Sequence, residues 1–209
     1  MPKYIEIVDT FPTLQGEGRY VGTPIFLIRV ARCIYQCPYC DTKFAWKGGK
    51  KYTEEQLVSI IKEQDYKTVL WTGGEPLIYF PQIPEVIRET QDYSHHIETT
   101  GGVKVLPEEF GVFDYVCFSP KTYSDIENIM EYKKYLEKHG IEYDIKVVTD
   151  LQEVNLGLIK YATMLMPLSV PNSEESKRIA RDVWRYCVYN KIRFSPRIQH
   201  YIWGYGKTI

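Results

Sequence analysis

Short apolar runs alternate along the chain with longer stretches that have apolar residues on one helical face. The short runs are typical of buried strands and the longer ones of amphipathic helices. Strands are predicted at residues 24–30, 68–72, 96–99, 114–119, 143–148 and 163–166, with a last short strand at 192–195. Helices are predicted at residues 53–62, 84–91, 126–138 and 173–190, the first of them opened by a capping box at Thr53 and Gln56.

This alternation predicts an α/β fold in which parallel strands are joined by right-handed crossovers. Six β-α units are too few to close the standard eight-stranded barrel, so an open, partial (β/α)6 barrel is expected, with a doubly wound sheet as the alternative. The chain has no linker or low-complexity stretch, and residues 1–209 are expected to form a single domain. Polar residues follow nearly every predicted strand, which favours a ligand site at the carboxyl edge of the sheet: Arg29, Thr72, Glu98, Thr99, Ser119, Lys121 and Ser169.

Composition narrows the classes of function. The 209 residues are 44% apolar and carry a formal net charge of −1, so no general electrostatic field favours nucleic acid or an anionic membrane. No apolar run approaches the length of a membrane span, and the first residues lack the layout of a signal peptide. A loop of closely spaced cysteines without a secretion signal indicates a reducing compartment, so a cytoplasmic protein is expected.

Cys33, Cys37 and Cys40 lie in one short segment with the spacing C-x3-C-x2-C. A [4Fe–4S] cluster held by four cysteines is complete and mostly carries electrons. One held by three has an iron with an open position, where a substrate or cofactor binds directly. The spacing therefore makes this segment a candidate three-cysteine cluster site.

Two structural alternatives compete with the cluster. A Cys3His zinc site is the first, but no histidine has zinc-finger spacing from the cysteine segment. The candidates are His95, His96, His139 and His200. Disulfides are the second, but the count of five cysteines is odd. Cys117 and Cys187 stand alone in apolar surroundings, which is typical of buried, inert thiols.

The segment from Cys33 to Cys40, with an aromatic Tyr39, resembles the cluster loop of the radical S-adenosylmethionine (SAM) superfamily. The segment 72–76, Thr-Gly-Gly-Glu-Pro, resembles the superfamily motif that holds the amino group of SAM, since paired glycines let the backbone approach a ligand and a carboxylate suits an ammonium group. Four further segments narrow the resemblance to the 7-carboxy-7-deazaguanine synthase family: residues 14–18, 40–42, 98–101 and 119–121. Together they extend the resemblance over residues 14–169.

The resemblance implies a radical SAM partial barrel that converts 6-carboxy-5,6,7,8-tetrahydropterin into 7-carboxy-7-deazaguanine, with loss of ammonia. It implies a [4Fe–4S] cluster, SAM and Mg²⁺ as cofactors, and a 5′-deoxyadenosyl radical that takes hydrogen from C6 of the pterin. The product feeds the synthesis of queuosine or archaeosine in transfer RNA. A flavodoxin- or ferredoxin-like electron donor and a homodimer are also implied, whereas direct binding of nucleic acid or membrane is not.

The family's cofactor roles transfer to matching positions of this chain. Cys33, Cys37 and Cys40 correspond to the cluster ligands, and Thr42 to a magnesium ligand, which is acceptable because Mg²⁺ takes few protein ligands and keeps several waters. The implied SAM contacts are Tyr39, Cys40, Asp41, Gly73, Gly74, Glu75, Gly101, Ser119, Pro120, Lys121, Met166, Pro167, Leu168 and Ser169. Met166 departs from the family, in which this position is usually more polar.

Arg29 is the clearest substrate candidate, because it interrupts the apolar strand Ile-Phe-Leu-Ile-Arg-Val. A buried guanidinium needs an anion, and the resemblance supplies one, the pterin carboxylate, which a guanidinium binds in bidentate fashion. A salt bridge to an internal Asp or Glu is the alternative. The other implied substrate contacts are Leu14, Gln15, Gly16, Glu17, Thr99 and His200, with Glu17 able to accept from pterin N–H groups.

Two other functions remain open at this stage. A glycyl-radical-activating enzyme shares the cysteine spacing, but it acts on a protein and needs neither Arg29 nor the segment 15–18. A zinc-stabilised binding module belongs to a different class and predicts a colourless protein insensitive to oxygen. A brown, oxygen-sensitive preparation would exclude it.

Overall fold

Nine strands and five α-helices form the part of the chain that the computed structural model describes, residues 4–205. The strands are β1 (Ile5–Leu14), β2 (Pro24–Val30), β3 (Lys50–Tyr52), β4 (Thr68–Gly73), β5 (Ser94–Thr99), β6 (Tyr115–Phe118), β7 (Glu142–Thr149), β8 (Met164–Pro167) and β9 (Arg193–Phe194). The helices are α1 (Glu54–Lys62), α2 (Gln82–Arg88), α3 (Tyr123–His139), α4 (Ser173–Asn190) and α5 (Ile198–Trp203). Short 3-10 helices lie at Lys43–Lys47, Pro76–Tyr79, Pro107–Val112 and Leu156–Tyr161.

The strands form one sheet in the order β3-β1-β2-β4-β5-β6-β7-β8-β9. From β2 to β9 all neighbours are parallel, whereas β1 is antiparallel to both β2 and β3. Because the parallel strands follow chain order without a reversal, right-handed crossovers place the connecting helices on one face of the sheet. A doubly wound sheet requires such a reversal, so that alternative is wrong. Within residues 4–205 the outer strands β3 and β9 do not pair, and the barrel is open, as expected.

The predicted strands and helices are present, with ends that move by a few residues. Thr53 caps α1 and forms the predicted capping box with Gln56. Three elements escaped prediction: β1, β3 and α5. β1 contains a proline, Pro12, but only residues 5–7 of this strand are flanked by a second partner, β3. Pro12 therefore lies where β1 has a free edge, which is where a strand tolerates proline.

The core lies between the sheet and the helices that cover it. In α4, Ile179, Val183 and Cys187 recur every fourth residue and are buried, which is the pattern of a helix with one face on a sheet. Cys117 on β6 is buried as well, and both isolated cysteines are free thiols, as predicted. None of the helices in residues 4–205 combines the length and the apolar character needed to cross a bilayer.

Candidate active site

A cavity of about 270 Å³ opens at the carboxyl edge of the parallel strands. Its wall includes residues of β1, β2, β4, β5, β7 and β8, together with the cysteine segment after β2 and the residues around the start of α5. In parallel α/β folds the strand ends converge at this edge, which is why ligands bind there. The cavity therefore lies at the edge of the sheet where the polar residues after the strands predicted a ligand site.

The three closely spaced cysteines all line the cavity and are partly buried. The backbone N–H of Cys40 donates to the carbonyl of Cys37 at 3.0 Å, which closes the turn between the last two thiols. The amides of Tyr35 and Thr42 approach the Sγ atoms of Cys33 and Cys40 at 3.5 and 3.4 Å. Burial raises the pKa of Cys33 and of Cys40. Positive charge from a bound metal centre would offset that effect and keep these thiols deprotonated.

The donor set fits a cluster better than a single ion. Within residues 4–205, no three His, Cys, Asp or Glu side chains are grouped closely enough to hold one metal ion. A tetrahedral zinc site needs its ligands to converge on one point. A cubane cluster binds each thiolate through a different iron, so three thiols around one loop need not converge. The three cysteines thus fit a [4Fe–4S] cluster to which this loop supplies three ligands, not four.

The Gly73–Gly74 turn follows β4 and packs against the start of the cysteine segment. Gly73 has φ of +117°, and a Cβ at Gly74 would collide with the carbonyl oxygen of Arg32. The amides of Gly74 and Glu75 donate to the carbonyls of Val30 and Arg32 at 2.9 and 2.8 Å. Both glycines line the cavity, and they are needed because the turn must lie directly against the neighbouring backbone.

Glu75 does not line the cavity; its side chain is fully buried behind it. The carboxylate accepts from the amides of Leu77 and Thr100 at 3.1 and 2.8 Å, and from the hydroxyls of Thr99 and Thr100. Burial raises the pKa of Glu75, and these hydrogen bonds partly offset the rise. Glu75 therefore ties the glycine turn to the end of β5, and its direct contact with SAM stays a prediction.

The other predicted cofactor residues divide into two groups. Tyr39, Cys40, Asp41, Ser119, Lys121 and Met166 line the cavity, whereas Gly101, Pro120, Pro167, Leu168 and Ser169 do not. Lys121 donates to the carbonyl and hydroxyl oxygens of Ser119 at 2.6 and 2.9 Å. Burial lowers the pKa of Lys121, and the nearby Cys37 partly opposes that shift. The ammonium group therefore lies beside the thiols.

Arg29 extends from β2 into the cavity wall, as predicted. Its Nε lies 3.4 Å from Oδ2 of Asp9 but is buried without a hydrogen bond. The rings of Phe11 and Phe44 lie 5.9 and 5.6 Å from the guanidinium carbon. Burial lowers the pKa of Arg29, and Asp9 offsets only part of the effect. The internal salt bridge exists, but it leaves Arg29 with donor capacity for an anion in the cavity.

The segment after β1 brings Gln15 and Glu17 into the cavity wall beside Leu14 and Gly16. Gln15 donates to Oε1 of Glu98 at 3.1 Å. Glu17 lies between two cations, with Nζ of Lys146 2.7 Å from Oε2 and Nε of Arg197 3.2 Å from Oε1. Burial alone would raise the pKa of Glu17, but Lys146 and Arg197 outweigh it and lower the pKa to about 2.

The residues before and within α5 close the cavity from the C-terminal side. The amide of Ile198 donates to the carbonyl of Gly16 at 3.0 Å, which joins this segment to the segment after β1. His200 Nε2 and Arg197 Nη1 lie 3.2 and 3.4 Å from Oδ2 of Asp41. Burial alone would raise the pKa of Asp41, but His200 and Arg197 hold it well below its usual range. His200 thus reaches the cavity, but its partner there is Asp41.

Thr42 and Thr99, predicted as a magnesium ligand and a substrate contact, both line the cavity. The Thr42 hydroxyl donates to Oδ1 of Asp41 at 2.9 Å. The Thr99 hydroxyl donates to Glu75 and also accepts from the amide of Gly101 at 3.0 Å. The Thr42 oxygen keeps lone pairs for a cation, whereas the Thr99 hydroxyl is already bonded on both sides.

Sequence reasoning missed three charged or polar groups of the wall, Lys146, Arg197 and Gln199. Lys146 interrupts the apolar strand β7 in the same way that Arg29 interrupts β2. A charged residue within an apolar strand is therefore the signal that could have identified Lys146. Gln199 precedes His200 in a segment that resembles one of the family, but only His200 was assigned a role from it. Arg197 lies beyond the last predicted strand, and no local signal marked it.

Several buried polar atoms of this wall have no hydrogen-bond partner within residues 4–205. They are Arg29 Nε, Arg197 Nε and Nη1, Gln199 Oε1 and His200 Nδ1. Buried polar groups in folded proteins are normally paired, and a cluster of exceptions calls for a ligand. The three guanidinium nitrogens each have a carboxylate oxygen at 3.2–3.4 Å, so their charge is met within the protein. Gln199 Oε1 and His200 Nδ1 have no such contact, and a polar ligand in the cavity would supply one.

Comparison with known proteins agrees with this geometry. The model of the Radical SAM superfamily matches residues 27–180, well over half of the chain. A 7-carboxy-7-deazaguanine synthase of Pyrobaculum aerophilum is 28% identical over 96% of this chain and 95% of its own. One of Thermoplasma acidophilum is 29% identical, over 95% and 97%. The crystal structure of QueE from Escherichia coli covers 92% of this chain and 93% of its own, with a TM-score of 0.56 and 21% identity, which is a likeness of fold.

Proposed function

This chain belongs to the radical SAM superfamily, and from that premise we propose that it converts 6-carboxy-5,6,7,8-tetrahydropterin into 7-carboxy-7-deazaguanine, with loss of ammonia, in the synthesis of 7-deazapurines. Two relatives with the name of that synthase align with nearly the whole chain, which favours this reaction over others of the superfamily.

One observation carries the proposal. The cavity lined by the three cysteines is also lined by Arg29, whose buried Nε has no hydrogen bond. An enzyme that modifies a protein glycine has no use for a buried guanidinium at this place. A small substrate with a carboxylate would complete the pairing of a guanidinium that Asp9 contacts only at 3.4 Å, without a hydrogen bond.

When loaded, the cluster and SAM supply a carbon-centred radical, which is the difficult chemistry of the superfamily. The protein contributes binding and orientation. Cys33, Cys37 and Cys40 would hold the cluster. Tyr39, Asp41, the Gly73–Gly74 turn, Ser119, Lys121 and Met166 would hold SAM along the same wall. The cofactor would then lie beside the three thiols and the closely packed glycine turn.

Other residues that line the same cavity would hold the pterin. Arg29 would bind its carboxylate, and the segment 14–17 with Thr99 and His200 would surround the ring. Fixing both ends of a rigid bicycle leaves one carbon facing the cofactor, so that side reactions at other positions are excluded.

The finer assignments belong to the same proposal. Thr42 would bind Mg²⁺ together with waters and substrate oxygens, since Mg²⁺ keeps most of its hydration shell. Reduction of the cluster would need a flavodoxin- or ferredoxin-like donor. A homodimer in the cytoplasm is the expected state.

Anaerobic turnover tests the proposal directly. The reconstituted protein is incubated with SAM, Mg²⁺, a reductant and 6-carboxytetrahydropterin, and the products are separated and weighed by mass spectrometry. The expected product is 7-carboxy-7-deazaguanine, together with ammonia. Turnover of SAM without any deazapurine, with the pterin recovered unchanged, would contradict the proposed reaction.

A further inference from the structure

Glu17 and Glu98 are two of the three carboxylates that line the cavity, the third being Asp41, and the two differ in how their oxygens are used. Glu17 is bonded on both oxygens. Oε1 accepts from Gln199 at 2.8 Å, and Oε2 accepts from Lys146 at 2.7 Å. Its lone pairs are directed at the protein, and a ligand would have to displace one of these donors.

Glu98 is held through one oxygen only. Gln15 and Lys146 both donate to Oε1, at 3.1 and 3.2 Å. The carboxylate is therefore fixed in orientation at one end, while its side chain lines the cavity and is 18% exposed. A carboxylate oriented through one oxygen presents the other as an acceptor of fixed position.

Lys146, which lies two strands away from Glu98 in the sheet, fixes the orientation of the Glu98 carboxylate. It lies on β7 and is 2% exposed, and its ammonium group lies between Glu17 and Glu98. The register partner of Glu98 on the intervening strand β6 is Cys117, a small residue. A buried ammonium shared by two carboxylates offsets the cost of burying either charge.

Among residues 4–205, no side chain or amide forms a hydrogen bond or ion pair with the second oxygen of Glu98. A pterin presents an amino group and a ring imide along one edge, and these are neutral N–H donors. A carboxylate forms charge-assisted hydrogen bonds with such donors, which are about twice as strong as neutral ones. A 2-oxo ring, as in a lumazine, lacks the amino donor and brings a carbonyl oxygen against the carboxylate instead.

On the basis of the proposed function, we propose that Glu98, and not Glu17, is the residue that selects an amino-substituted pteridine, and that Lys146 is the positioning residue that fixes the Glu98 carboxylate for this contact.

The test compares two oxidation-stable ligands, 6-carboxypterin and 6-carboxylumazine, which share the carboxylate that Arg29 would bind. Equilibrium dialysis under anaerobic conditions with the reconstituted, SAM-loaded protein gives a dissociation constant for each. The wild type should prefer the pterin by about 10- to 100-fold, the range of one hydrogen bond to a charged group. Glu98→Gln should abolish most of that preference, because the amide keeps the shape but loses the charge.

Glu17→Gln is the matched control. It should change the affinity for both ligands by a similar factor and keep the preference. Lys146→Met should lose the preference as Glu98→Gln does. In the double variant Lys146→Met/Glu98→Gln the second substitution should add little, because both act on one contact. A residue that merely stabilised the fold would lower both affinities and leave their ratio unchanged. SAM binding and the thermal midpoint verify that each variant is folded.

Four results would overturn the inference. If Glu98→Gln keeps the full preference for the pterin, Glu98 does not select the amino group. If Glu17→Gln loses that preference, Glu17 takes part in the selection. A wild type that binds 6-carboxypterin tightly but does not distinguish it from 6-carboxylumazine would show that no residue reads the amino group, and the proposed reaction would stand. A wild type that binds neither ligand would overturn the proposed reaction as well.

Discussion

The residues proposed to hold the cofactor and those proposed to hold the pterin differ in how the chain brings them together, and they are called the cofactor wall and the pterin wall. The cofactor wall consists of a short stretch of chain, the cysteine segment, and of glycines that allow the backbone to pack closely. The pterin wall consists of buried charges from distant parts of the chain, among them Arg29, Glu17, Lys146 and Arg197. The first depends on local spacing, and the second depends on the whole fold. Substitutions on the two walls should therefore fail in different ways.

The largest effect is expected at the cysteines. Replacing Cys33, Cys37 or Cys40 with Ala removes a ligand that nothing else in the segment replaces, so reconstituted protein should lose the cluster or its SAM-dependent chemistry entirely. Iron content and visible absorption measure the first, and 5′-deoxyadenosine formation the second. Cys117→Ala and Cys187→Ala are the controls, since both thiols are buried away from the segment. A cluster lost with Cys117→Ala would contradict the assignment of three ligands.

Arg29→Lys should give the next largest effect, confined to the pterin wall. Lysine keeps the charge but lacks the planar pair of donors. Leaving a buried carboxylate poorly paired costs about 2–5 kcal/mol, or roughly 30- to 5,000-fold in kcat/KM for the pterin. A pterin without the 6-carboxylate should bind the wild type and the variant almost equally. A variant that unfolds, or that no longer binds SAM without substrate, would make Arg29 structural.

The charges of the pterin wall should also affect acid stability. The pKa of Glu17 falls from 4.5 to about 2 on folding, so the ionised group stabilises the folded state above pH 4.5. This stabilisation is lost progressively as the pH falls from 4.5 towards 2, because the unfolded chain takes up the proton first. Urea denaturation between pH 7 and pH 3 measures the effect. Glu17→Gln should flatten the acid slope by up to one proton.

The smallest effect is expected at Thr42, between the two walls. One neutral ligand to a hydrated cation contributes about 1 kcal/mol, so Thr42→Ala should raise the Mg²⁺ concentration for half-maximal turnover roughly fivefold. SAM binding should be unchanged, and Thr42→Ser should behave as the wild type because it keeps the hydroxyl. Equal turnover of the wild type with and without a chelator would leave Thr42 a turn residue.

The contrast between the walls also explains what the sequence could and could not predict. The cysteine segment, the glycine turn and Arg29 were accessible because each is a local departure, in spacing or polarity, from its surroundings. The contact between Glu17 and Lys146 joins residues 129 positions apart, and that between Glu17 and Gln199 spans 182 positions. No periodicity encodes such pairs.

Glu75 shows that a recognised motif need not reveal where its side chain points. Its motif was interpreted as holding the amino group of SAM, yet the Glu75 carboxylate does not line the cavity and binds the end of β5. The motif located the loop, but the direction of one side chain depended on Thr99 and Thr100, which come from another strand end.

The central claim is that one cavity joins a three-cysteine cluster site to a clamp for a small carboxylated substrate. It is tested most directly by measuring deazapurine and 5′-deoxyadenosine together, in one anaerobic assay, for the wild type, Arg29→Lys and Cys37→Ala. The account predicts deazapurine from the wild type, 5′-deoxyadenosine with little deazapurine from Arg29→Lys, and neither from Cys37→Ala. Loss of both products in a folded Arg29→Lys, or full deazapurine formation by it, would contradict the division of the cavity into two walls.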